Sequence, residues 1–363
     1  MMKVVSVALL GVVALFLAVP VSAQEFVPDT VTTSKAKVLE VVSQEKRLVP
    51  GTDIETIYQT ISAEILDGEE KGAVVTIEND YLELKEGQVF YLVHTTNPLD
   101  GTDYYAVAEV DRLPALIALG ALFVVIVLLF GGKQGARGLL ALLGGLFLII
   151  FLLLPGTLAG YSPVLVAMVV SSVIVCLGSY VTHGFNKTTT TAVLGMIATI
   201  LLTGALAYFS IDFAQLSGFN TDETVYLNFN TRGAIDFAGL LLAGILIGTL
   251  GVLYDAAIGQ AVSVEELARA GEHLSRKEIY RRALRIGREH IGALVNTLAI
   301  AYVGASLPLL LLFYGFGSDT IALALNREIF ATEIVRILVG SIGLVLAVPV
   351  TTAISTRLLV KGR

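Results

Sequence analysis

The chain has 363 residues, of which 55% are hydrophobic and 15% charged, and its mean hydropathy is +0.80. Soluble domains carry roughly 25% charged residues, so this composition excludes a soluble enzyme, a disordered tail protein and a nucleic-acid binder with its basic surface. The single cysteine, Cys176, excludes a disulfide framework and a Cys-rich metal site.

Charge divides the chain. Residues 24–112 carry 7 Lys+Arg and 18 Asp+Glu, net −11, whereas residues 113–363 carry 16 and 13, net +3. An acidic, water-soluble segment is therefore fused to an oily, nearly neutral one, with a boundary near Arg112. Ahead of both, residues 1–23 read as a secretory signal: Lys3, an apolar run from Val4 to Val19, then the small residues Val21, Ser22 and Ala23. The alternative is an uncleaved anchor, and either version sends residue 24 onward to the outer side.

Residues 24–112 predict a small β domain. Apolar residues alternate over 35–41, and runs at 57–66 and 73–77 flank a hairpin connection at 67–72. Further runs at 89–94 and 104–110 complete five short strands, which suit a small closed barrel, OB-like or SH3-like. Net charge −11 opposes binding to phosphate, so the domain reads as a structural ectodomain or docking module, with a small-molecule site as the alternative.

The remainder predicts about seven transmembrane helices, at 113–131, 138–154, 163–182, 189–209, 234–254, 291–314 and 331–355. Each is long enough for a hydrocarbon core of about 30 Å. If residue 113 starts outside, the inner segments hold 13 Lys+Arg and the outer ones 3. This split supports an exported β domain and a cytoplasmic C-terminus.

The inner segment 256–290 is the longest. Ser263-x-x-Glu266 and Ser275-x-x-Glu278 read as two capping boxes, and Gly271 as a left-handed stop between two helices. The second helix puts Ile279, Ala283 and Ile286 on one face. Arg276, Lys277, Arg281, Arg282, Arg285 and Arg288 cover much of the rest. Such a helix is fit to lie on anionic headgroups, or serves only as a topology signal. Small residues at Thr191, Gly195, Thr199, Thr203 and Ala207, and at Gly244, Gly248, Gly251, Asp255 and Gly259, predict helix-packing stripes; a polar path along the threonines is the alternative.

Charges within spans are functional suspects. Asp255, beside Tyr254, ends the fifth span, with Gln260 beyond it. Asn296 and Thr297 lie about a turn inside the sixth span, and Tyr302 and Ser306 lie deeper. Asp255 and Asn296 are expected to face one another at an inner mouth, unless Asp255 only pairs with a nearby arginine. At the outer boundary, Arg232 with Asp236 and Glu333 with Arg336 have helical pairing distances.

Protease chemistry is not expected. Tyr254-Asp255 resembles half of an intramembrane aspartyl pair, but the glycine-rich string at 315–319 has an extra residue and falls in an outer loop. Gly304-Ala305-Ser306 resembles a rhomboid serine, yet no histidine follows His290. His94, His183, His273 and His290 form no i, i+4 pair, so a zinc site is not expected.

Residues 251–267 (GVLYDAAIGQAVSVEEL) and 286–312 (IGREHIGALVNTLAIAYVGASLPLLLL) resemble the intracellular signature of the YibE/F-like family of bacterial membrane proteins. The resemblance extends over about 24–360 and is most specific at 251–312. It implies a bacterial plasma-membrane protein with an exported β-rich segment, a multi-span region and a functional centre in 251–312. It supplies no reaction, cofactor or catalytic residue, so no residue role is carried over. The expected function is facilitated transport or channel-like permeation of a small solute or ion; the alternative is a non-transporting scaffold or sensor whose ectodomain binds a partner. The expected partners are the bilayer with its anionic headgroups, an unidentified solute or protein and a second copy of the chain. No cofactor and no nucleic acid are expected.

Overall fold

The computed structural model describes residues 30–360 apart from 50, 81, 99–100, 272 and 317–319. The signal-like segment 1–23 lies outside the described residues, as do positions 317–319 of the glycine-rich string. Contacts divide the chain into two units, separated between Leu122 and Phe123.

In the first unit, alternation of apolar and polar residues gives β1 (Thr30–Leu48), β2 (Glu55–Ile65), β3 (Val74–Asn79), β4 (Val89–Thr96) and β5 (Asp103–Val110). All ladders are antiparallel, in the order β3-β2-β1-β4-β5, a Greek key. Register shifts at Val38/Glu40 and Val41/Ser43 bend the long β1. The sheet curls until β3 and β5 approach, but no ladder joins them, so the expected closed barrel is an open half-barrel. Ile61, Ala63, Ile65, Ile77, Phe90 and Leu92 fill its core, with Leu84 inserted from the β3–β4 connection. The buried Gln59 amide secures that insertion: its Oε1 accepts from Leu84 N–H at 2.8 Å and its Nε2 donates to the Leu84 carbonyl at 2.9 Å.

Lys35 Nζ donates to Asp111 Oδ2 at 2.7 Å, and the Asp111 side chain is only 6% exposed. The lysine hydrogen bond holds Asp111 below the usual carboxylate range, and the same bond raises Lys35. A depressed carboxylate stabilises the fold above its unfolded value near pH 4, and that stability is lost as pH falls through the lower folded value. A raised amine loses its contribution only as pH rises through a value above about 10.4. Amide-exchange protection of β1 in the full-length protein is therefore expected to fall between pH 5 and pH 3. Lys35→Met should show the weaker protection at both; an unchanged acid response would place the loss elsewhere.

The rest of the chain is helical. Its first stretch, α1 (Leu113–Leu148), begins in the first unit, crosses the boundary at Leu122, and passes through a π-helical turn at Ile149–Leu153 into α2 (Leu154–Leu158). Gly132 (φ 53°, ψ −134°) breaks α1, and beyond it the Val127 carbonyl sits where a Cβ on Gly135 would be. The chain doubles back there. Then follow α3 (Pro163–His183), α4 (Lys187–Phe213), α5 (Asp222–Asn230), α6 (Phe237–Ala270), α7 (Arg276–Ala305), α8 (Leu307–Phe316), α9 (Ile321–Asn326) and α10 (Glu328–Leu359). Five stretches are long and apolar enough to cross a membrane, or six if α7 and α8, bent by 63°, form one span. The seven-span expectation departs from these counts at Gly132 and at the Ser306 bend.

Helices α4, α6 and α10 pack on one another at the centre, with α3 against α4 and α6 and with α7 against α6 and α10. Thr191, Gly195, Thr199, Thr203 and Ala207 are all buried in this core. Of the second small-residue stripe, Gly248 meets the Tyr302 hydroxyl, but Gly244, Gly251 and Gly259 face open space. That stripe is not a packing face within the chain.

Three local readings are corrected. Ser263 does not cap: its hydroxyl donates to the Gly259 carbonyl at 2.8 Å, and α6 runs on to Ala270 because Ala261 and Val264 continue its buried face. Gly271 does end α6, at φ −122°, so it is not left-handed; its lack of a side chain admits Leu274. Asp236 caps α6 by accepting from Gly239 N–H at 2.9 Å, because Arg232 lies in a turn at φ 53° and not on that helix. The Glu333–Arg336 pair does form, at 3.3 Å.

Candidate functional site

The interface of α4, α6 and α10 is lined with hydroxyls. Near the start of α4, Thr188 Oγ1 donates to Glu265 Oε2 at 2.5 Å, and Thr191 Oγ1 accepts from Ser355 Oγ at 3.1 Å. Beside them, Thr352 Oγ1 donates to the buried Gln260 Oε1 at 2.8 Å. Further along, Gly195 faces Thr351 and Gly343 faces Thr203 so closely that neither glycine has room for a Cβ. Thr203 and Thr351 are fully buried, and their hydroxyls have no hydrogen-bond partner. A Thr hydroxyl in a helix usually bonds a carbonyl one turn back, as Thr199 does to Gly195 at 2.8 Å. These two do not.

A cavity with polar lining lies beside each end of α4. At the start of α4, a 670 Å³ cavity is lined by Asn186, Lys187, Thr188, Glu265 and Arg269 and by Leu274, Ile279, Leu359 and Val360. An adjoining 350 Å³ cavity shares Asn186, Thr188, Glu265 and Arg269 and adds His183 and Thr189. At the far end of α4, a 370 Å³ cavity is lined by Tyr208, Asp212, Gln215 and Asp236 among others. The loop bordering it is clamped by Glu328, whose carboxylate accepts from Ser217 N–H at 2.8 Å, Gly218 N–H at 2.7 Å and the Ser217 hydroxyl at 2.8 Å. Gly218 sits at φ +81° with the Phe237 carbonyl where a Cβ would be.

The residues singled out in the sequence are dispersed. Gln260 lies in the column, within reach of Gly287. Tyr302 places a buried, unpartnered hydroxyl against Gly248, and Ser306 sits at the α7–α8 bend. Asp255 is exposed and lines a separate 450 Å³ groove with Gly138, Ala141, Gly178 and Thr182. Asn296 and Thr297 are exposed on α7, and no hydrogen bond joins either to Asp255. The basic helix keeps its Ser275–Glu278 capping box. Lys277, Arg281, Arg282, Arg285 and Arg288 are exposed, whereas Arg276 turns back to donate to the Val360 carbonyl at 2.9 Å. Its buried face is Ile279, Ala283 and Gly287, packed near Val264; Ile286 points away. Among the described residues no group of His, Cys, Asp and Glu is placed to hold a metal ion.

Residues 119–361, about two thirds of the chain, match the model of the YibE/F-like protein family. The chain belongs to the YibE/F-like family. No curated protein and no solved structure matches it. In this YibE/F-like protein the matched region holds the hydroxyl column and all four cavities, while the half-barrel lies outside it.

The sequence reading missed the α10 half of the column. Thr351 with Ser355, and Thr352 with Thr356, repeat hydroxyls one turn apart in the last span, a pattern available without a structure. Lys187 was passed over because it lies next to a predicted membrane boundary, and Glu265 because it lies in the predicted inner segment 256–290, where charge is ordinary.

Proposed function

We propose that this YibE/F-like protein provides facilitated passage for a small polar solute or ion along the α4, α6 and α10 interface, captured here closed at its middle. The carrying observation is the column of buried hydroxyls along α4, a helix of 27 residues with a partly polar cavity beside each of its ends. At about 1.5 Å per residue that length is about 40 Å, enough to span a bilayer core. Hydroxyls and the Gln260 amide can replace water around a small polar guest, and Glu265 meets the column only at its start, through Thr188. Asp255, Asn296, Thr297 and Ser306 stand outside this column. In this reading the protein is not an enzyme. It resides in a bacterial plasma membrane with seven spans, an exported β unit and a cytoplasmic C-terminus, as the loop charges favour.

A second reading, a scaffold or sensor, draws on the exposed Leu48 and Ile54 beside the β1–β2 turn, an apolar tip suited to a protein partner. The two separate at Thr351. In a Cys176→Ser background, Thr351→Cys should react slowly with a small cationic methanethiosulfonate in membrane vesicles, because a passage must open to water. A thiol that reacts only after detergent denaturation would mean the interface stays shut, and permeation would be abandoned.

A further inference from the structure

The cavity at the start of α4 has a mixed lining. Asn186, Lys187, Glu265 and Arg269 supply polar and charged groups, and Leu274, Ile279 and Leu359, which pack together in one apolar cluster, supply the rest. Its 670 Å³ lies within the 300–1,000 Å³ typical of ligand sites. We propose that this cavity binds a phosphate ester carried on an apolar body, as in the headgroup of a membrane phospholipid. This site is independent of whether anything crosses along the hydroxyl column.

The charge balance selects an anion. Glu265 is already satisfied: one oxygen accepts from Thr188 at 2.5 Å and the other from Arg269 at 2.5 Å. Lys187 makes no hydrogen bond or ion pair among the described residues, so no described carboxylate pairs with its ammonium. Arg269 bridges Glu265 at 2.5 Å and Glu266 at 3.5 Å; its own side chain is exposed, so these pairs hold weakly and its guanidinium can be shared with a further anion. A phosphate offers several acceptor oxygens at once, enough for an ammonium, a guanidinium and an amide. The apolar part of the lining requires that the phosphate bring a body with it. Basic pockets between helices near a membrane surface suit lipid headgroups for the same reason. The exposed Lys277, Arg281, Arg282 and Arg285 on α7 raise the local potential without lining the cavity.

Calorimetric titration of the full-length protein in neutral detergent tests the site with three soluble probes. Dioctanoyl phosphatidic acid carries head and body, glycerol 3-phosphate only the head, and dioctanoylglycerol only the body. The first should bind at least about tenfold more tightly than either other probe, the loss expected when one set of contacts is removed. Lys187→Gln should weaken it about tenfold. Lys187 has no partner to lose, so the variant should melt like the parent without ligand. Arg281→Gln with Arg285→Gln should change the affinity less than Lys187→Gln does. Equal binding of glycerol 3-phosphate would assign the site to a free phosphate ester and overturn the lipid form. An unchanged affinity in Lys187→Gln, or a larger loss in the α7 variant, would place binding on the basic helix and overturn the proposal.

Discussion

Gly195→Leu is expected to leave almost no folded protein in the membrane fraction, and Gly195→Ala to lower the melting temperature measurably. Even a methyl at this position collides with the hydroxyl, Cβ and Cγ2 of Thr351, which is fully buried and has nowhere to move. Overpacking of a close-packed core typically costs about 1–3 kcal/mol for small additions and more for large ones. The second crossing of the same helices repeats the device with roles exchanged, Gly343 on α10 admitting Thr203 of α4. Thr351→Ala removes two of the three clashing atoms, so combining it with Gly195→Ala should recover part of the loss. Detergent-solubilised protein, heated and passed through size exclusion, reports all of this. If Gly195→Leu accumulates and melts like the parent, α4 and α10 do not interlock here.

Glu328→Ala should release the loop at 217–218. Its carboxylate is the acceptor for two backbone N–H groups and a hydroxyl, all contributed by Ser217 and Gly218. Hydrogen bonds to a charged partner contribute about 1.5–3 kcal/mol each when the donors are otherwise stranded, and solvent access lowers that figure here. Amide exchange at 217–219 should accelerate by at least an order of magnitude, while the α4–α10 core keeps its protection. Gly218→Ala should act in the same place by a different route, because φ +81° and the neighbouring Phe237 carbonyl both disfavour a side chain. Unchanged exchange in both variants would show that the loop is held by something other than this carboxylate.

The five strands could be read because alternation is a property of each strand alone. Whether the sheet closes depends on pairing between β3 and β5, residues far apart in the chain, and alternation does not encode it. The helical stretches were legible from hydropathy, and the break at Gly132 falls where Lys133 and Arg137 had marked a turn. Finer placements failed by small angles. Ile286 and Gly287 are one residue apart, about 100° around a helix, yet Gly287 is buried and Ile286 is not. The eye goes to a large apolar residue, although the tight approach of Gln260 requires the glycine. Likewise Asp255 drew attention as a charge, while the buried amide on that helix is Gln260, about 140° further round over five residues. The small-residue stripe on α4 was read correctly as packing because its period matches the helix; its counterparts on α10 were overlooked among Val and Leu.

The stretch Leu113–Leu148 contains no buried residue. Its contacts with other helices are few and light, such as Gln134 donating to the Thr182 carbonyl at 3.2 Å and Ala141 lying beside Gly178, so over most of the stretch selection can act on little more than greasiness and the length spanned. Exchange of Leu, Val, Ile and Phe over that stretch is then close to neutral, and drift will erase its sequence faster than that of α4 or α10. The helical core that carries the column has its own packing and does not depend on which apolar residues fill this segment. Over evolutionary time the β domain ahead of it can be lengthened, exchanged or lost while the core behind it is inherited unchanged.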